Sequence, residues 1–507
     1  MIYTLSIWAS VLSFLWFVSR VLRKHRHPPY PPSPKRPWPV IGNALHIPLS
    51  RPWLTYTAWG TTHNNRILHL EALGQHIIVL NDLHDAIELM EKRSSLYSDR
   101  PHMPLLFMMG HEINTGLLPY GDVWRQHRKT FQQGFREGVI ETYHPILDLK
   151  SKQFLQRLIT HPEGLAEHCE FFAASAVISI VYGYDLESPL DPILILTKRA
   201  TELANPAALS GSLIINSFPI LLNIPKWFPG GGIHEVAAEA RKALHGMADM
   251  TYQVVIDRMQ QGVDKPSLVQ RLLKKQKEEG KDDVTVLKAA AATAYSAGVE
   301  TTTCALGSLL LALAMYPEVQ VKARAEILSV IGTTRLPNFE DRPLLPYLEA
   351  LCQELHRWET PAPIGVPHAT THDDIYQGYF IPKGSLIFFN TWGMSRNPDT
   401  YPEPEKFKPE RFLNADGSLK RGERSPAFGF GRRICPGRYF AVDIIWLAAA
   451  RVLSTLEISN PRDPVTGKGI DLEVHQYSDE LVSHPPRFVC TIKPVEHAGN
   501  LLRNEGE

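Results

Sequence analysis

Net charge is the first thing this chain lacks: 53 lysines and arginines face 53 aspartates and glutamates, so the formal charge at neutral pH is zero. A nucleic-acid binder needs a clear basic excess to neutralise phosphates, which argues against that class of partner. Cysteine is also sparse. The five residues Cys169, Cys304, Cys352, Cys435 and Cys490 are odd in number, far apart and never arranged as Cys-x-x-Cys. Zinc-ribbon, thioredoxin-like and iron–sulfur readings lose their ligands, and a reduced compartment is the simplest inference. No Asn-x-Ser/Thr acceptor with an allowed middle residue occurs. The Pro-Gly-Gly-Gly at Pro229 to Gly232 lacks the spacing and the lysine of a phosphate loop and reads as a turn, and no dinucleotide-binding fingerprint occurs.

What is present begins with an apolar run. Met1 to Ser19 carries no charge and is followed by Arg20, Arg23, Lys24 and Arg26. At ~1.5 Å per residue the run just spans a bilayer. A cleaved signal peptide places its positive charge before the apolar core, the reverse of this order. An uncleaved anchor with the body of the chain on the cytosolic side is therefore expected. Between His27 and Pro39 stand Pro28, Pro29, Pro31, Pro32, Pro34, Pro37 and Pro39. Each fixes its own φ and biases its predecessor toward extended geometry, so the segment is a stiff spacer. The 507 residues allow several average domains or one large helical one. The expected division is an anchor over 1–19, a basic and proline-rich hinge over 20–43, and one folded domain over 44–507.

Within that domain, Ile67 to Asn81 reads as short strands, with Ile77, Ile78, Val79 and Leu80 the clearest run. Ser94 to Tyr120 is rich in Met, Leu, Pro and Gly without clean periodicity and includes Leu106 and Phe107; it suits an apolar binding loop, or plain core. Trp124 and Arg128 place an indole N–H and a guanidinium one turn apart on one helix face, a pair suited to a carboxylate. Leu147 to Gln260 looks mainly helical, broken at Leu209 to Gly232 by an apolar, proline-bearing stretch that fits either a membrane or entrance surface or buried core. Val284 to Met315 is a long Ala- and Leu-rich helix stopped by Tyr316-Pro317. Its middle, Ala297-Gly298-Val299-Glu300-Thr301-Thr302, puts a glycine, an acid and two hydroxyls where stability alone asks for none, as a kink or as a site. Pro346 to Thr360 is another helix, with Glu354 and Arg357 at i, i+3; strands follow at Asp374 to Tyr379 and Ser385 to Asn390, and His475 to Val482 is the last loop able to reach a cavity.

Pro426 to Phe440 holds Cys435 between glycine-bearing turns, with Arg432, Arg433 and Arg438 beside it and an apolar run from Tyr439 onward. Pro436 suits the first turn of a helix through Ala441 to Leu453, and a sulfur at that helix start should have a lowered pKa and favour metal ligation. A lone cysteine among apolar neighbours can equally be a small buried hydrophobe. The pattern Phe428-x-x-Gly431-x-Arg433-x-Cys435-x-Gly437, however, resembles at every fixed position the heme-ligating signature of the cytochrome P-450 family. The other segments resemble that family's motifs in order: Trp124-x-x-x-Arg128, Ala297 to Thr302, Glu354-x-x-Arg357, and Pro409-Glu410-Arg411-Phe412. In overall pattern the chain looks most like fungal members of secondary metabolism.

The resemblance implies a mostly helical α+β fold, with a large helical part, a small β-rich region and one N-terminal transmembrane helix. It implies heme b as cofactor with Cys435 as axial thiolate, Thr301 and Glu300 handling protons, and Trp124, Arg128, Arg433 and His368 near the propionates. His368 stands where many relatives carry arginine. Phe428, Gly431 and Gly437 shape the heme loop, and Glu354, Arg357 and Arg411 form a buried charge cluster that persists only when fully paired. The substrate pocket is expected from Leu106, Phe107, Ala297, Ile364, Val366 and Tyr477. The implied activity is monooxygenation of a lipophilic substrate of terpenoid, polyketide or indole type, by a monomer at the endoplasmic reticulum membrane. Its electrons come from NADPH through the diflavin cytochrome P-450 reductase, with cytochrome b5 as a further donor. A proximal face of Lys406, Lys408, Lys420, Arg421, Arg424, Arg432 and Arg438 can steer such a partner. The alternatives are a heme-thiolate isomerase or desaturase, and a non-oxygenating heme sensor or carrier.

Overall fold

A computed structural model describes residues 27–208, 215–216, 219–280, 283–422, 425–461, 472, 477–498 and 501. The expected anchor and the basic part of the hinge lie outside the described residues. Two described helical segments, Pro162–Tyr182 and Thr285–Met315, are long and apolar enough to cross a membrane, and both are mostly buried inside the protein.

The helices of ten residues or more, numbered along the described chain, are α1 Pro52–Thr62, α2 Asp122–Phe135, α3 His144–Thr160, α4 Leu165–Tyr182, α5 Pro192–Ala208, α6 Ile233–Gln260, α7 Leu268–Glu278, α8 Thr285–Met315, α9 Pro317–Ile331, α10 Pro346–Trp358 and α11 Arg438–Thr455. The strands are β1 Ile67–Ala72, β2 Gln75–Leu80, β3 His368–Ala369, β4 Asp374–Tyr376, β5 Tyr379–Ile381, β6 Leu386–Phe389, β7 Leu456–Ser459 and β8 Thr491–Pro494. They form a four-stranded sheet in the order β1-β2-β6-β3 and two two-stranded ribbons.

α8 is the axis of the helical part. Its 31 residues make a rod of about 45 Å, and alanine and leucine on nearly every face let α2, α4, α6, α10 and α11 pack on it. That all-round burial is why it reads as apolar as a membrane span. α4 is covered in the same way and ends at Gly183, whose φ of +64° is the left-handed position helices favour at their C-termini. The sheet sits to one side. β1 and β2 pair antiparallel across Leu73 and Gly74, both at positive φ, and β2 runs parallel to β6 with Ile77 opposite Leu386.

Three expectations change in detail. α11 begins at Arg438 with Gly437 as its N-cap, so Pro436 precedes the helix and does not open it. The Ser94 to Tyr120 stretch is not one irregular loop; it contains short helices at Ser94–Tyr97, Pro104–Met108 and His111–Ile113. The polar break in α8 leaves the helix uninterrupted, because the Thr301 hydroxyl donates back to the Ala297 carbonyl at 2.8 Å and so competes little with the ladder.

Candidate active site

Cys435 lies in the turn between Gly431–Arg433 and α11, and its N–H donates to the Phe428 carbonyl at 2.8 Å. Gly431 fixes that turn. Its φ is +53°, and a Cβ placed on it would stand 2.1 Å from the Met90 carbonyl oxygen. Gly431→Ala should therefore cost about 2 kcal/mol or more in unfolding free energy, read from denaturant midpoints, since backbone and not a flexible side chain blocks the methyl.

The sulfur faces an internal cavity of about 360 Å³ bounded by α2, α5, α8, the start of α11 and the 94–120 segment. Of the expected residues, Cys435, Arg433, Gly437, Trp124, Arg128, Glu300, Thr301, Ala297, Leu106 and Val366 all line it. Burial raises the Cys435 thiol pKa, while the Gly437 N–H and the charges of Arg128 and Arg438 pull it down. This corrects the sequence reading. Burial outweighs the helix start, so the thiol is raised and not lowered, and a cation bound at the sulfur would favour the thiolate.

Three guanidiniums, those of Arg100, Arg128 and Arg433, line the cavity with the sulfur; Asp99 is the one carboxylate whose charge acts on Arg100 and Arg433, and none of the three forms an ion pair among the described residues. Arg433 donates from Nε to the Ser98 carbonyl at 2.8 Å and from Nη2 to that of Leu118 at 2.9 Å, and its Nη1 is buried with no partner. It also lies 4.4 Å over the Trp124 ring, and burial pushes its pKa down to about 10. Arg128 has no side-chain hydrogen bond among the described residues. Arg100 donates to the carbonyls of Gly116, Val366 and Pro367 at 2.7, 2.7 and 2.8 Å. Three buried or half-buried cations with a single acid nearby still call for an anion. The two carboxylates of a porphyrin, with iron on the sulfur, answer that need, so the residues present fit heme.

The remaining expected residues fall elsewhere. His368 does not line the cavity. It is buried in β3, its Nδ1–H donates to the Tyr97 carbonyl at 2.6 Å, and burial with Arg100 nearby holds it neutral. Arg100, whose charge acts on His368, does line the cavity, and nothing in the stretch Ser98-Asp99-Arg100-Pro101 marked it. Phe107 is half-buried outside the cavity lining, its ring edge-on to His102 at 6.3 Å. Ile364 lines an adjoining cavity between the sheet and Pro101–Met103. Tyr477 donates its hydroxyl to Ser308 at 2.8 Å and so clamps its loop to α8, while Leu481 and Val482 of the same loop reach the cavity. Phe428 packs edge-on to His356 at 5.0 Å, behind the cysteine turn.

Glu354 is fully buried and accepts Arg357 Nε at 2.6 Å, Arg357 Nη2 at 2.8 Å, Arg411 Nε at 3.0 Å and the Lys408 N–H at 2.7 Å. On α8, Glu300 is the one carboxylate among the described residues lining the cavity, and its Oε1 lies 3.9 Å from His484 Nε2.

A turn-held cysteine, an apolar cavity over it and an anion-seeking rim define a heme-thiolate site. Comparison with known proteins agrees: residues 31–475 match the family model described as Cytochrome P-450. The chain is 37% identical over 496 residues to the cytochrome P-450 monooxygenase ple1 of Rhodocybe pseudopiperita, covering 97% of this chain and 94% of that one. It is 38% identical to the cytochrome P-450 monooxygenase COX1 of Coprinopsis cinerea, over 94% of each chain. To the tryptamine 4-monooxygenase of Psilocybe cyanescens it is 35% identical, again over 94% of each. The chain belongs to the cytochrome P-450 family and is a heme-thiolate monooxygenase.

Proposed function

We propose that Cys435 is the iron ligand and that the enzyme oxygenates a lipophilic fungal secondary metabolite, drawing electrons from NADPH through a membrane-bound diflavin reductase. The observation that carries the assignment is the gathering of Arg100, Arg128 and Arg433, three cations with only Asp99 nearby to offset them, around the cavity to which one cysteine, Cys435, is open. Bound heme supplies the activation of dioxygen and the oxidation of a C–H bond. The chain supplies the rest. Cys435 would hold the iron, and the three arginines with Trp124 would hold the two propionates. The Thr301 hydroxyl and the Glu300 carboxyl face the cavity from α8 and are placed to carry protons in from the His484 side. α5 and the short helix Pro104–Met108 supply apolar cavity wall, Leu106 and Ala204 among it.

Thr301→Ala tests the proton role. Heme content should stay unchanged while peroxide released per NADPH consumed rises about tenfold. Unchanged coupling would take Thr301 off the proton path.

Membrane attachment is supported by exposed apolar side chains, with Trp227 83% and Ile220 71% accessible, and by the apolar run at the N-terminus. The proposed reductase face is weaker than its sequence suggests. Lys406 and Lys408 both pair with Glu403, and Arg432 donates to the Tyr120 hydroxyl at 2.5 Å. Arg424 lies outside the described residues. The substrate class is best tested by metabolite profiling of microsomes that co-express the chain with a reductase.

A further inference from the structure

The cavity wall given by α5 is one helix face, Thr197, Ala200, Thr201, Ala204, Asn205 and Ala208, at the i, i+3, i+4, i+7 spacing of a single stripe. Most hydroxyls around the cavity are already committed. Thr197 donates to the Ile193 carbonyl at 2.7 Å, Thr293 to that of Ala289 at 2.9 Å, and Thr301 to that of Ala297 at 2.8 Å. Thr201 and Asn205 are different. They stand one turn apart, about 6 Å along the axis, and neither side chain has a hydrogen-bond partner among the described residues.

That turn also spends stability. Pro206 follows Asn205 inside the helix, where a proline forfeits a ladder bond and costs about 3 kcal/mol. Asparagine is itself a poor helix former. A wall required only to be apolar needs neither, and departures from local preference concentrate at functional positions. The neighbours that share the wall, Met103 and Leu106, are apolar. No charged side chain on α5 lines the cavity; the one lining carboxylate, Glu300, is on α8, and the lining arginines gather with Cys435.

Resting on the monooxygenase reading above, we propose that Thr201 and Asn205 form a polar anchor for an uncharged, largely apolar substrate that already carries a hydroxyl or carbonyl oxygen. A carboxamide and a hydroxyl each donate and accept, so either oxygen function satisfies them. A hydrocarbon offers both half-buried groups no partner while displacing solvent from them, which is how a hydrogen-bonding site disfavours an analogue lacking the partner. An ammonium finds no counter-charge at that wall. The enzyme then acts after a reaction that has already introduced an oxygen onto the skeleton.

The test uses the full heme-loaded chain and three probe sets: menthane, menthol and menthylamine; bornane, borneol and bornylamine; cedrane and cedrol. Dissociation constants are measured by calorimetry for the native chain and for Asn205→Leu/Thr201→Val. In at least one skeleton the alcohol should bind about tenfold tighter than the hydrocarbon and the amine, and in the double variant that advantage should shrink to about twofold, with hydrocarbon binding unchanged. Should the double variant not fold, Asn205→Gln, which keeps the amide, and Thr201→Ala carry the comparison; the alcohol advantage should survive in part in the first and weaken in the second. No alcohol preference in any skeleton, including failure of every probe to bind, overturns the inference, as does a preference that survives the double variant. The carbon-monoxide spectrum of the same samples separates the two levels. Thiolate-ligated heme without an alcohol preference sinks the anchor and leaves the monooxygenase reading standing, whereas absence of such heme in the native chain sinks both.

Discussion

Cys435→Ser should abolish the red-shifted carbon-monoxide band of the reduced protein and bring oxygenation to background. The substitution is nearly isosteric, and the N–H that bonds the Phe428 carbonyl at 2.8 Å is retained, as is the Arg438 guanidinium that donates to the residue's own carbonyl at 3.2 Å. The turn therefore keeps its shape and the protein its fold. What changes is the ligand. Burial already disfavours the anion at this position; a thiol still yields it to iron, but a hydroxyl is several units less acidic and ligates poorly in its neutral form. With the sulfur would go the thiolate ligand that a bound heme needs for its oxygen chemistry. Four measurements separate the outcomes: heme content, the carbon-monoxide spectrum, product yield and the unfolding midpoint. A variant with a normal midpoint and the band intact would show that another residue holds the iron. The four remaining cysteines offer no substitute, since Cys169, Cys304 and Cys352 are buried elsewhere, Cys490 packs half-buried against the helical core, and none of them lines the cavity.

What could be read from sequence follows from the range of the interactions involved. The cysteine turn is local: its glycines, its arginines and the following apolar run all act within about one loop and one helix, so the pattern alone carries it. α8 is legible because its composition and the Tyr316-Pro317 stop are local too. The cavity rim is not local. Arg100 meets Arg433 only because β3 and the 94–120 segment are brought together, with Ala369 N–H donating to the Asp99 carbonyl at 2.9 Å and Arg100 reaching Val366 and Pro367. His368 is the converse case. It occupies the sequence position of a propionate ligand, and the pairing of β3 with β6, Ile387 opposite it, sets its Nδ1 on the Tyr97 carbonyl, a contact no local pattern announces. Thr201 and Asn205 carry no signal in the sequence, because which face of α5 meets the cavity is decided by its packing on α6 and Pro104–Met108. Tyr477 fell in the right loop, and its neighbours Leu481 and Val482 do the lining.

Glu354→Ala should cost about 3–5 kcal/mol and deplete the heme-loaded protein, because it leaves two guanidiniums in the interior without counter-charge. The loss is larger than one ion pair suggests. The segment from Ser395 to Arg411 has little regular structure, and its carbonyls need donors that no ladder provides. Arg357 supplies Ser395 and Pro404 at 2.9 Å each and Lys406 at 3.2 Å; Arg411 supplies Pro402, Glu403 and again Lys406. Glu354 aims both arginines, and its fork with Arg357 fixes a planar geometry that no ammonium reproduces. Removing it therefore loosens the whole meander that leads into the cysteine turn. Glu354→Gln keeps an acceptor oxygen and should lose less. The decisive comparison is the double variant Glu354→Ala/Arg357→Met, in which a buried cation is removed together with its anion. If the charge left behind is what destabilises Glu354→Ala, the double variant should be no worse than the single one by denaturant unfolding, and strict additivity of the two losses would show that packing, not desolvated charge, sets the cost.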